Sequence, residues 1–184
     1  MSRQTWQETL ISATGDGSAV TGTTATSLLP SAAKLVLPAN YSEVGRMLRL
    51  RAAGRISNIV TTPGTLTLDV RFGSAIVFDG GAMQLNAVAK TNVTWVLEAD
   101  LVIRAIGSGT AANLLGTGKW TSESVVGSPV PGTGGSGSLL LPASAPAVGA
   151  GYDSTATQQV DLFAKFSLTG NSITLHHYTL ESLN

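Results

Sequence analysis

The stretch PGTGGSGS, residues 131–138, places Gly132, Gly134 and Gly137 at the G-x-G-x-x-G spacing that lets a backbone approach a dinucleotide pyrophosphate. The only two histidines, His176 and His177, are adjacent. Glu98 and Asp100 stand two residues apart, which puts both carboxylates on one face of a strand, as glycoside hydrolysis or a calcium site would use them. Each pattern works only in a particular setting. The glycine fingerprint needs a strand before it and a helix after it, so that the helix N-terminus faces the phosphates. Here VVGSPVP precedes and SLLLPASAP follows, with no helical period on either side. The run therefore reads as a loop between strands. Adjacent histidines on a strand point to opposite faces and do not chelate one ion. Three copies of His176 around a three-fold axis could share a metal, but a strand histidine is ordinarily hydrogen-bonded or solvated. Arg49, Arg51 and Arg55 share one parity, and cross-strand pairing with Asp69, Glu98 or Asp100 accounts for both the arginines and the carboxylates. The other reading of the arginine stripe is docking on an acidic protein surface. There is no G-x-S-x-G elbow between a strand and a helix. No enzymatic activity, metal or cofactor is expected.

The elements that would position these residues have a period of two. In TLTLDVRFG, Leu66, Leu68, Val70 and Phe72 alternate with Thr65, Thr67, Asp69 and Arg71, the mark of a half-buried strand. Gly73-Ser74 follows as a two-residue type II′ turn, with glycine where φ must be positive. In GRMLRLRAAGRIS, Leu48, Leu50 and Ala52 face one way, while Met47, Arg49, Arg51 and Ala53 face the other. Val93, Trp95, Leu97, Ala99, Leu101, Ile103 and Ala105 share a face of a segment long enough to need a bend or bulge. Val160, Leu162, Ala164, Phe166 and Leu168 are expected inward, followed by hairpin chemistry at Gly170-Asn171 and a last strand, SITLHHYTLES. TATSLLP, AKLVLPA, ANLLGTGKWTSES and GSLLLPA are weaker strands. QTWQETLIS is ambiguous, because Trp6 and Leu10 also fit helical spacing. Eight to ten short antiparallel strands predict an all-β fold, a jelly-roll-like β-sandwich over residues 24–184 with residues 1–23 as an N-terminal arm.

Composition narrows the function. Eleven basic and eleven acidic side chains cancel, and only 12% of residues are charged, against about 25% in ordinary soluble domains. Low net charge favours association and disfavours sequence-independent binding to nucleic acid. The absence of cysteine excludes thiolate catalysis and cysteine-ligated metals. The start has no secretory core, and Pro142 and Pro146 interrupt the most apolar late stretch. Synthesis in the cytoplasm and no membrane partner are expected.

GRMLRLRAAGRIS, TTPGTLTLDVRFGSAIVFDGG, TNVTWVLEADLVIRAIGSGTAANLLGTGKW and VDLFAKFSLTGNSITLHHYTLESLN together resemble small virion proteins of tailed bacteriophages, most of all jelly-roll head decoration (cement) proteins. The resemblance runs from about residue 24 onward and rests on strand-turn cadence, not on a catalytic motif. It implies a homotrimer on the capsid surface that binds the major capsid protein. Arg3, Trp6 and Trp120 are the candidate partner contacts, since arginine and tryptophan are typical interface anchors; ordinary core packing is the other reading of each tryptophan. A tail or baseplate module that binds host glycan is the alternative.

Overall fold

A computed structural model describes residues 7–59, 61–127 and 137–183. Among the described residues there is no α-helix, only one turn of 3-10 helix at Ser31–Ala33, and twelve strands. These are β1 (Gln7–Ser12), β2 (Thr26–Ser27), β3 (Val36–Leu37), β4 (Met47–Asn58), β5 (Thr65–Phe72), β6 (Ala75–Leu85), β7 (Lys90–Ala105), β8 (Asn113–Ser122), β9 (Val125–Gly127), β10 (Ser138–Leu141), β11 (Gln158–Phe166) and β12 (Ser172–Leu183). Every pairing is antiparallel.

Two sheets face each other, as expected for a β-sandwich. One runs β1-β12-β4-β7-β8-β10, and the other runs β2-β11-β5-β6-β9, with β3 added beside β11. The pairings β1·β12, β2·β11, β4·β7 and β5·β6 are nested like the two arms of one long hairpin. β12 also lies beside β4, and β11 beside β5, so that hairpin is rolled up. This is the jelly-roll arrangement. β8, β9 and β10 are inserted between its sixth and seventh strands and widen both sheets.

Alternation decides which side chains enter the core. Leu48, Leu50, Leu66, Leu68, Val70, Leu97, Leu101, Leu162 and Phe166 are all buried on the inner faces. Gly73 opens the β5–β6 turn at φ 59°, between the paired residues Phe72 and Ala75. The long β7 is accommodated by register shifts, between Ile103 and Ala105 against β8 and between Ile56 and Asn58 of β4.

Four expectations need correction. Residues 7–23 are not a free arm: β1 is an edge strand on β12, and Val20 is buried and bridged to Ile173. The alternation that marks this segment is weak because an edge strand buries little, which its mostly exposed side chains show. Gly170-Asn171 does not close a hairpin, because β11 and β12 belong to different sheets. Asn171 is instead buried, donating from Nδ2 to the carbonyls of Pro63 and Leu168 and accepting the Ile59 N–H. Leu168 lies beyond the end of β11 and is 45% exposed. His176 and His177 do not face opposite ways. The register of β12 against β4 slips between Leu175 and His177, and both histidines emerge exposed. A bulge inserts a residue and resets the alternation.

Gly132 and Gly134 lie outside the described residues. Gly137, at φ 68°, directly precedes β10, and its carbonyl accepts the Ser122 N–H.

Candidate functional site

The outer face of the six-stranded sheet carries Arg49, Arg51, Glu98 and Asp100. Register sets them in transverse rows. One row is Glu181, Arg49, Asp100 and Thr117, from β12, β4, β7 and β8 in turn. The next is Thr179, Arg51, Glu98, Lys119 and Leu140, the last from β10. On the other side of the first row lies an apolar row, Leu183, Met47, Val102 and Leu115, which Val148 extends through a bridge to Leu115.

The carboxylate pair is held by the arginines, as expected. Arg49 grips Asp100 with Nε to Oδ1 at 2.8 Å and Nη2 to Oδ2 at 3.2 Å. This hydrogen bond is the main reason that the Arg49 guanidinium is held above its ordinary pKa. Arg51 Nε stands 3.7 Å from Glu98 Oε1, and both side chains are about half exposed. Asp69 pairs elsewhere, with Arg71 two residues along its own strand. A shallow open depression of about 440 Å³ lies over this ladder, lined by Arg49, Arg51, Glu98, Asp100, Lys119 and Leu140 among others. Leu140 is 75% exposed at its rim.

Trp120 is not a surface anchor. It is fully buried and stacks on Trp95. Its chain neighbours Lys119 and Thr121 point outward on β8, while Trp120 points into the sandwich and Ser122 is buried with it. Arg3 and Trp6 lie outside the described residues. His176 Nδ1 is 2.8 Å from Asp16 Oδ1, a contact made possible by the bulge. Among the described residues no group of three histidines or carboxylates gathers around a common point.

Sequence reading missed a second charged cluster, on the outer face of the smaller sheet. Asp161 is buried, paired with Lys34 Nζ at 2.9 Å and accepting from Ser27 Oγ at 2.6 Å. Beside it Asp69, also buried, holds Arg71, whose guanidinium lies 4.0 Å over the Phe163 ring. Lys34 and Ser27 arrive on the segment that carries β2, the 3-10 turn and β3, which only the tertiary fold brings to β11.

The third surface feature is apolar. Ile59, Val88 and Leu168 are exposed at 37%, 64% and 45%. They follow β4, precede β7 and precede β12, and these three strand ends meet at one end of the sandwich. Asn58 and Asn171 tie the loops together there: Asn58 Nδ2 donates to the carbonyls of Ile59 and Val88, while Asn171 accepts from Ile59 and donates to Leu168.

No family model, curated protein or solved structure matches this chain.

Proposed function

We propose that this chain is a non-enzymatic head decoration (cement) protein of a tailed bacteriophage, a homotrimer that binds the major capsid protein on the outside of the shell and stabilises it. The observation that carries the reading is the apolar end formed by Ile59, Val88 and Leu168, held by buried asparagines on a chain with very few charges. Fixed, uncovered apolar side chains gain most when another protein excludes water from them. A trimer presents three such ends, and linked contacts raise the effective concentration of the second and third. A ligand that binds only the assembled shell stabilises it by mass action. Arg3 and Trp6 would add contacts at the start of the chain.

The test adds purified protein to expanded heads that lack it, then measures occupancy and the temperature of genome release. Occupancy should saturate and release should move upward. Val88→Asp and Leu168→Asp should each weaken attachment while leaving the unfolding midpoint nearly unchanged. Full occupancy with an unaltered release temperature would remove the cementing role. Binding to tails or to host glycan, with none to heads, would favour the tail module instead.

A further inference from the structure

We infer that the outer face of the six-stranded sheet is a self-complementary contact, on which a second copy of this chain stacks about a two-fold axis running parallel to the strands between β4 and β7. The charges stand in columns along the strands. β4 carries Arg49 and Arg51, β7 carries Asp100 and Glu98, and the flanking β12 and β8 carry Glu181 and Lys119. Within these two rows the charges balance, three of each sign, while Arg55 of β4 and Arg104 of β7 stand outward beyond them. A two-fold axis parallel to the strands lays β4 of one copy over β7 of the other. Arg49 then meets Asp100 and Arg51 meets Glu98 of the second copy, at the same level along the strands. An axis perpendicular to the strands would lay each column on itself and set arginine over arginine, which like-charge repulsion opposes. The charge pattern therefore selects one of the two face-to-face arrangements.

The apolar row obeys the same symmetry. Met47 falls over Val102 of the other copy, and Leu183 over Leu115, because the four occupy corresponding strands. The long Arg51–Glu98 contact of 3.7 Å between half-exposed side chains leaves both groups able to bond across the interface. Six strands about 4.8 Å apart, with three or four outward residues each, offer about 600–700 Å² per copy, or roughly 1,200–1,400 Å² in all. That is the lower part of the range for specific interfaces and fits a weak, salt-sensitive contact. It pairs two chains, whether these stand alone or belong to neighbouring trimers, and does not depend on the capsid contact.

Charge swaps test the geometry in free solution, by sedimentation equilibrium at low salt. The wild-type mass should rise with concentration to at least twice that of the smallest species. Arg51→Glu and Glu98→Arg should each hold the protein at that smallest species, with wild-type unfolding midpoints. A mixture of the two variants should regain the larger mass, and so should the double swap within one chain, since each restores opposite charges across the axis. Overturning results are a wild type whose mass does not rise, single swaps without effect, or failure of both the mixture and the double swap to recover. Capsid occupancy is measured separately, so loss of the shell contact and loss of this one are distinguishable.

Discussion

Trp95 and Trp120 stack with ring centroids 5.0 Å apart and planes 12° from parallel, both wholly buried between the sheets. They come from neighbouring strands, and Trp95 Nε1 donates to the carbonyls of Arg55 and Thr174, reaching across β4 to β12. The pair thus joins β12, β4, β7 and β8. Trp120→Ala should lower stability by about 3–5 kcal/mol, the usual cost of emptying a large aromatic site. Urea unfolding checks this. Trp120→Phe should cost less and leave attachment to heads unchanged, because the side chain is not on the surface.

Gly54→Ala tests the point where β12 crowds β4. A methyl group there would come 1.9 Å from the Thr174 carbonyl oxygen, which Trp95 also uses. Backbone cannot swing aside like a side chain, so the strands must separate locally. The expected loss is about 1–3 kcal/mol, as for overpacked cores, with increased amide exchange at Thr174 and Leu175 as the local readout.

Asp161→Asn tests the second charged cluster. It leaves Lys34 without its buried counter-charge while keeping size and most hydrogen-bonding capacity. A loss of about 1–2 kcal/mol is expected, below that of a fully buried pair because Lys34 is partly solvated. The change should be felt along residues 27–37. Amide exchange should quicken at Leu28, which donates to the Leu162 carbonyl, and at Val160, which donates to that of Leu35.

Alkaline pH should unfold the protein through its tyrosines. Burial raises the phenol pKa of Tyr178, whose hydroxyl has no hydrogen-bond partner among the described residues, and raises that of Tyr152 less strongly, opposed by its bond to Ser42. At neutral pH both folded and unfolded chains keep these phenols protonated, and stability is intact. Above about pH 10 the unfolded chain ionises first, so stability falls as pH rises. Phenolate absorbance from Tyr178 should appear together with loss of the β-sheet circular dichroism signal. Ionisation of all three tyrosines in a still-folded protein would contradict this.

The strands could be read from the sequence wherever one face is buried and the other polar. β4, β5 and β7 show this most clearly, and shared parity put Arg49 with Arg51 and Glu98 with Asp100 while leaving Asp69, Glu98 and Asp100 all open as partners of the arginines. Parity carries no information about which strand is the neighbour. Gly170-Asn171 therefore resembled a hairpin although the chain there passes from one sheet to the other. Trp120 stayed open between interface anchor and core residue because its polar neighbours along the chain say little about its own face; it is a core residue. Asp161 escaped notice because its partners, Lys34 and Ser27, are distant in sequence. The apolar end at Ile59, Val88 and Leu168 is assembled from three separate loops and has no signature in any one of them.

The position of β12 between β1 and β4 governs how the chain reaches this structure. The first strand has no sheet partner until the last has been synthesised, and one long edge of β4 waits equally long. Neither can be completed on the ribosome while β12 remains inside the exit tunnel. Closure of such distant segments is slow, and the open edges are exposed to pairing with other chains in the meantime. The rate at which native protein forms is therefore tied to how soon β12 reaches β1 and β4.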